Sequence, residues 1–183
     1  MNKQYKARFI KLAKDNIKRD GINELLASLE KTDFFTAPAS TRFHDSEEGG
    51  LCKHSLAVFD HLVSDLKDNF YDMETIALVS LFHDVCKVNY YTIEMRNKKD
   101  ENGKWISVPF YSVDDKFPYG HGEKSVFLLQ DKLKLSVEES MAIRWHMGAY
   151  EGQQAWNTLS KAYEMYPLAM YLHFADMKST YLK

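Results

Sequence analysis

Apolar residues recur at helical spacing along most of this chain, and this periodicity limits the range of folds it can adopt. Only four prolines and eight glycines occur among 183 residues, so few positions break a helix. The clearest departure covers residues 90–113, where β-type side chains flank a polar tip containing Asn102-Gly103. That arrangement is typical of a β-hairpin. The pattern therefore predicts an all-α, or mainly α, fold with one inserted hairpin.

The ends of individual helices carry recognisable signals. Asp72 is a candidate N-cap, Ser136 followed by Glu139 resembles a capping box, and Pro167 suits a first helical turn. Residues 34–50 are rich in loop-forming side chains and predict an irregular segment. The predicted helices cover residues 3–16, 22–31, 51–69, 73–88, 122–133, 137–147 and 167–182.

Composition excludes several classes of protein. The net charge of −2 and the pI near 6.4 argue against a strongly basic surface for nucleic acid. No apolar run reaches the roughly 18 residues that a membrane span needs, and the charged N-terminus lacks the apolar stretch of a signal peptide. The two cysteines do not suggest a disulfide framework. We expect a cytoplasmic protein without a membrane segment.

The dipeptide His83-Asp84 ends the apolar helical run IALVSLFHDVCK and is the centre of a candidate metal site. Imidazole suits zinc, iron, nickel and copper, and carboxylate oxygens extend the range to manganese and magnesium. Divalent ions activate water, and two ions can clamp a displacement at phosphorus when a carboxylate bridges them. Asp84 is the natural bridge. The other candidate ligands are His54, His121, His146 and Asp176.

The order of these residues resembles the H…HD…D signature of the HD-domain metal-dependent phosphohydrolases. The strings GGLCKHSLAVFDH, LFHDVCK, GHGEKS, IRWHMG and FADMKS resemble successive blocks of that family, over roughly residues 37–181. The resemblance implies a helical HD-domain core of about five helices in one domain, residues 1–183. Residues 1–33 would form an N-terminal helical extension and residues 90–118 a hairpin insertion. Cys86 departs from the family, where glycine is usual.

The same resemblance implies two divalent ions, whose identity among manganese, iron, zinc, nickel, cobalt and magnesium stays open. The catalytic residues would be Asp84 and Lys87, because Lys87 matches the lysine of the family's HDxxK block and can face a phosphate as a point charge. The ligands of the first ion would be His54, His83, Asp84 and Asp176. Those of the second would be Asp84, His121 and His146.

Further side chains near the proposed ligands are candidates for substrate binding. Lys87 and Lys124 each lie within one helical turn of a proposed ligand, and His44 lies in the loop before Gly49-Gly50. Arg144 is a further candidate for an anionic pocket. The two remaining histidines are His61 and His173. Their spacing favours structural positions, although His173 could contact the metal ligands without binding the ion itself.

These features predict an enzyme, a metal-dependent phosphohydrolase that cleaves a phosphate ester of a nucleotide or a related small molecule. One alternative is a phosphodiesterase or 3′→5′ exonuclease acting on short oligonucleotides or cyclic nucleotides. The string PASTRFHDSEEGGLCKHS also resembles the HD portion of bacterial 3′→5′ exoribonucleases. A different class, a non-catalytic nucleotide-binding sensor, stays open. We expect the hairpin to border the pocket and to select the substrate, and the sequence carries no marker of oligomeric state.

Overall fold

The computed structural model describes residues 3–42, 45–67 and 71–182. These residues form eight α-helices and one two-stranded antiparallel sheet, which confirms the mainly α prediction. Within the same ranges, no helix combines the length and apolar character needed to cross a membrane. The elements are α1 (Lys3–Asn16), α2 (Ile22–Leu29), α3 (Gly50–Leu66), α4 (Met73–Phe82), β1 (Tyr91–Lys99), β2 (Trp105–Val113), α5 (His121–Leu133), α6 (Val137–Trp145), α7 (Trp156–Met165) and α8 (Pro167–Tyr181).

Helix α4 is the central helix of the core. Every residue from Ile76 to Phe82 is buried, which is the signature of a helix surrounded by others on all sides. Helices α1, α3 and α6 pack against it, and α8 packs against both α3 and α6. The ring of Phe9 in α1 meets those of Phe34 and Phe82 edge-on, which seals the N-terminal helices onto this core.

The predicted helix ends are largely confirmed. The Asp72 carboxylate accepts from the Thr75 N–H at 2.7 Å, and Ser136 and Glu139 form a complete capping box. The first exception is α4, which ends at Phe82 instead of reaching residue 88. The His83 ring lies 2.8 Å from the Ser80 carbonyl, the acceptor that a continuing helix would use, and the chain turns there.

The second difference is α7, which the periodicity did not predict. Only Leu159 and Ala162 are buried in this helix, so its apolar stripe is too narrow to stand out in the sequence. A 3-10 turn over Gln153–Ala155 leads into it. Two further 3-10 turns cover Val85–Lys87 and Gly148–Tyr150.

The predicted hairpin is present, with register from Tyr91 opposite Val113 to Lys99 opposite Trp105. At its tip the Asp100 carboxylate accepts from the backbone N–H groups of Asn102 and Lys104, at 2.9 Å each. Gly103 adopts a φ of 79°, as its place in the turn requires. Seven of the nine residues of β1 and four of the nine of β2 are exposed, and Tyr91 at the stem donates to the Ala39 carbonyl in the loop before α3.

Candidate metal centre

The structure brings all six predicted metal ligands into one buried cluster. They reach it from five separate parts of the chain, and four of them stand at the first or last turn of a helix. His121 is the first residue of α5, and His146 directly follows α6. His83-Asp84 follow α4, whereas His54 and Asp176 lie within α3 and α8.

The carboxylate of Asp84 is the point on which the imidazoles converge. Its Oδ1 lies 2.8 Å from Nε2 of His121 and 3.6 Å from Nε2 of His146. Asp84 itself is 2% exposed, so water does not compete for these contacts. One oxygen of the carboxylate therefore faces the two histidines contributed by α5 and the end of α6.

The other oxygen of Asp84 faces a second pair of histidines. Its Oδ2 lies 3.4 Å from Nε2 of His83 and 3.8 Å from Nε2 of His54. The same His54 nitrogen is 3.0 Å from Oδ1 of Asp176. The two oxygens of one carboxylate thus point to two different groups of ligand atoms.

The hydrogen bonds at Nδ1 of the imidazole rings show whether these residues fit a divalent ion. Nδ1 of His83 lies 2.8 Å from the Ser80 carbonyl, and Nδ1 of His146 lies 2.6 Å from the Ile143 carbonyl. A carbonyl only accepts, so each Nδ1 carries the proton and each Nε2 presents a lone pair. Both Nε2 atoms are buried and lack a hydrogen-bond partner within the described ranges. Buried, unprotonated nitrogens aimed at a carboxylate fit a metal ion.

Electrostatics in the cluster favour the protonation states that a metal ion needs. Burial would raise the pKa of Asp84, but Lys87 and the neighbouring imidazoles hold it well below its usual range. Burial likewise opposes ionisation of Asp176, yet its close contact with His54 holds its pKa below the usual range. Burial lowers the pKa of His121 and outweighs the attraction of Asp84. Ionised carboxylates beside a neutral imidazole are metal-binding forms.

Lys87 ties the ligand cluster to the loop before α3. Its Nζ donates to Oδ2 of Asp84 at 2.7 Å and to the Ala39 carbonyl at 2.8 Å. Burial would lower the pKa of this ammonium, but the Asp84 charge raises it overall. The Tyr91 hydroxyl donates to the same Ala39 carbonyl at 3.0 Å, so the hairpin stem joins this junction.

Cys86 and Gly122 set the position of His121. The thiol of Cys86 lies 3.4 Å from Nδ1 of His121, and its backbone N–H donates to the Ser125 hydroxyl at 3.1 Å. Burial raises the pKa of the Cys86 thiol to about 12, so it remains protonated near neutral pH. A Cβ on Gly122 would lie 2.2 Å from the Arg144 carbonyl, so glycine allows α5 to approach the end of α6 this closely.

The cluster opens into a cavity of about 820 Å³. Its polar end contains His54, Asp84, Lys87, His121 and Asp176. The remaining wall is mainly apolar and aromatic, and two of its tyrosines share a hydrogen bond of 2.8 Å between their hydroxyl groups. The aromatic side chains of the wall are Tyr90, Tyr91, Tyr150 and Tyr181.

The predicted substrate-binding residues are placed differently from one another. Lys87 lines the large cavity, whereas Lys124 is buried beside a smaller cavity of about 200 Å³ and pairs with Asp115 at 2.8 Å. Arg144 lies in a separate cavity and pairs with Glu123 at 2.6 Å and Glu151 at 2.7 Å. The remaining candidate, His44, lies outside the described residues.

Of the histidines that the structure describes, His61 and His173 do not join the ligand cluster. His173 lies one turn before Asp176 and is buried, with Nδ1 2.7 Å from the His146 carbonyl. It packs against the turn that follows His146, where Gly148 with φ 55° has no space for a side chain. His61 is partly buried on α3 and lines none of the three cavities described above.

Sequence reasoning missed three residues of the site. Ser179 contacts a proposed ligand from α8, and Tyr150 and Tyr181 complete the cavity wall. Each is a common residue type without a motif around it, so no local signal identified it. The spacing of Ser179, three residues after Asp176, was the one available clue.

Comparisons with known proteins give no family for this chain. No family model matches it, and no curated protein and no solved structure shows significant similarity to it. The structure itself contains a buried group of histidine and aspartate side chains, with Cys86 beside it, that could hold a metal ion.

Proposed function

We propose that this protein is a metal-dependent phosphohydrolase that cleaves a phosphate ester of a nucleotide or a related small molecule. The observation that carries the proposal is the convergence of four imidazole nitrogens on the two oxygens of Asp84, at the polar end of a large cavity. The order of the residues and its resemblance to the HD-domain phosphohydrolases support the same reading.

The two oxygens of the Asp84 carboxylate face different groups of ligands, and this arrangement supports a site for two ions. His54, His83 and Asp176 would complete one site with Oδ2 of Asp84, and His121 and His146 would complete the other with Oδ1. Divalent ions held there would supply an activated water and neutralise charge that develops on phosphate oxygens. The ligand mix of imidazole and carboxylate suits manganese, iron, cobalt, nickel or zinc, and its carboxylates extend the range to magnesium.

The protein's own residues would bind and orient the ester. The Lys87 ammonium is the basic group of the cavity wall nearest to Asp84, and it would attract a non-bridging phosphate oxygen as a point charge. Its bond to the Ala39 carbonyl holds it at the polar end of the cavity. Lys87 would therefore position the phosphate without acting as an acid or base.

The aromatic wall supports a substrate with a ring system. Four tyrosines line the cavity that contains Lys87 and Asp84, and a purine or pyrimidine could stack on such side chains. The volume of about 820 Å³ lies in the upper part of the range for small-molecule pockets. A nucleotide satisfies both requirements, because it joins a phosphate to a flat base.

The size of the cavity also favours a second candidate, a phosphodiesterase or 3′→5′ exonuclease acting on short oligonucleotides or cyclic nucleotides. The projecting hairpin begins at the cavity wall with Tyr91 and Val113, where a longer substrate could extend. Turnover of dinucleotides but not of mononucleotides would select this alternative. Tight nucleotide binding without hydrolysis by metal-loaded protein would instead indicate a sensor.

One experiment tests the proposal directly. The purified protein is analysed for bound metals and assayed against nucleoside mono-, di- and triphosphates, cyclic dinucleotides and short oligonucleotides. The double variant His83→Ala, Asp84→Ala should lose both metal and hydrolysis. His61→Ala is the matched control, because it removes a histidine of α3 that does not reach Asp84. Retention of metal and activity by the double variant would refute the proposal.

A further inference from the structure

Ser179 forms a polar link between two of the proposed ligands of the first ion. Its side chain is 5% exposed on the inner face of α8. The hydroxyl donates to the backbone carbonyl of Asp176 at 2.8 Å, and the same oxygen lies 2.9 Å from Nδ1 of His54 on α3. One side chain therefore touches the ligand-bearing turn of α8 and the ligand ring of α3.

The direction of the second hydrogen bond follows from counting protons. A serine hydroxyl has one proton, and here the Asp176 carbonyl takes it. The Ser179 oxygen can then only accept from the His54 ring, so the proton belongs on Nδ1. Nε2 lies 3.0 Å from Oδ1 of Asp176 and 3.8 Å from Oδ2 of Asp84, where an ion shared with these carboxylates would take the place of a proton.

His54 differs in the partner of its Nδ1 from the other two fully buried histidine ligands. His83 and His146 each place Nδ1 against a backbone carbonyl three residues earlier, and such a carbonyl is always an acceptor. Ser179, which contacts Nδ1 of His54, is instead a side chain from another helix, and a serine hydroxyl can either donate or accept. The orientation of His54 therefore depends on a residue that a single substitution can remove.

We propose that Ser179 is a positioning residue of the metal centre: it keeps the proton of His54 on Nδ1 and aims Nε2 at the first ion. This inference rests on the metal-binding role in the proposed function. Ser179 itself touches neither the ion nor the substrate. Groups that orient a ligating histidine in this way typically contribute 10- to 100-fold to metal affinity.

The test measures Co²⁺ affinity of the full chain by titration, together with the visible spectrum of the bound ion. Ser179→Ala should weaken Co²⁺ binding 10- to 100-fold and alter the spectrum. Ser179→Thr should restore both, because a threonine hydroxyl can keep the bond to a carbonyl within its own helix. Ser55→Ala is the matched control: Ser55 is also a buried helical serine, but its hydroxyl donates to the Leu51 carbonyl of its own helix.

The outcomes separate this inference from the proposed function. If the wild-type protein binds no Co²⁺, the proposed metal centre fails, and the role of Ser179 fails with it. If the wild type binds Co²⁺ and Ser179→Ala binds within twofold of it, only the role of Ser179 is overturned. An equal loss in Ser55→Ala overturns it as well. Should the alanine variant unfold, Ser179→Cys fills similar space with a weak hydrogen-bonding group and should show a smaller loss in the same direction.

Discussion

Nε2 of His121 lies 2.8 Å from Oδ1 of Asp84, although the two residues are 37 positions apart in the chain, with the whole hairpin between them. The contact joins the start of α5 to the turn after α4. Because the other oxygen of Asp84 faces the imidazoles of His54 and His83, a substitution of Asp84 affects both proposed ion sites. Asp84 is therefore the position where a small chemical change should have the widest effect.

Replacing Asp84 by Asn should remove bound metal at both sites. Asparagine keeps the shape but has no charge and only one ligating oxygen, so neither ion retains its shared carboxylate. Loss of a residue that only orients a ligand typically costs about 10- to 100-fold in metal affinity, so elemental analysis of a variant that lacks a direct ligand should show less than about a tenth of the wild-type metal. Asp131→Asn, on the exposed face of α5, is the control. Normal metal content in Asp84→Asn would contradict the bridging role.

Shortening the hairpin should change substrate preference without removing the metal centre. Tyr91 and Val113 face each other across the ladder, so an Asn-Gly turn can replace residues 92–112. The cavity residues at the stem remain, and the removed residues are mostly exposed, so the melting temperature should stay within a few degrees. Metal analysis and the substrate panel measure the result. An unchanged ranking of substrates would show that the hairpin does not select them.

Replacing Tyr150 by Ala should raise KM for a nucleotide about tenfold and leave kcat nearly unchanged. Loss of one stacking contact costs about 1–3 kcal/mol, and Tyr150 is neither a proposed metal ligand nor the proposed phosphate-binding Lys87. Ribose 5-phosphate has no base, so its KM should not move. Tyr150→Phe keeps the ring and loses only the hydroxyl bond to Tyr181, and it should behave like the wild type. Equal effects on both substrates would argue against stacking.

The ion pair between Arg19 and Glu139 should make stability depend on pH. Burial would raise the pKa of Glu139, but the hydrogen bonds from Arg19 and from the Ser136 backbone hold it below its ordinary value of 4.5. The pair lies partly buried between the connection from α1 to α2 and the first turn of α6, with one N–O distance of 2.8 Å. Because the folded pKa lies below the unfolded one, this stabilisation is present above about pH 4.5 and is lost as pH falls through the folded value.

The corresponding variant is Glu139→Gln. Urea unfolding at pH 7 should show a loss on the order of 3 kcal/mol, as expected when one partner of a buried pair is removed. The difference from the wild type should shrink at pH values below the folded pKa, where the wild-type carboxyl is protonated. Glu164→Gln disrupts an exposed pair with Lys161 and should change stability by less than about 1 kcal/mol at any pH. A difference that is constant with pH would rule out the linkage.

Much of the fold was readable from local patterns. Helix ends such as Asp72 and the Ser136 capping box depend on residues three apart, and the hairpin depends on alternation around its turn. The predicted end of α4 was wrong because the His83 ring contacts the Ser80 carbonyl, which a continuing helix would use as a backbone acceptor. Hydrophobic periodicity does not encode that contact. Helix α7 was missed because only two of its residues are buried.

The choice of candidate ligands also came from residue type and order, since imidazole and carboxylate side chains are few and their chemistry is distinctive. The neighbours of those ligands depended on packing between distant segments. Arg144 pairs with Glu123 and Glu151, and Lys124 pairs with Asp115, contacts that residue type and order do not encode. The contact of Ser179 with His54 and the hydrogen bond between Tyr150 and Tyr181 both depend on how α8 packs against α3 and against the turn after His146. Ligand chemistry is a property of single side chains, whereas the direction of a hydrogen bond and the wall of a cavity arise where separate helices meet.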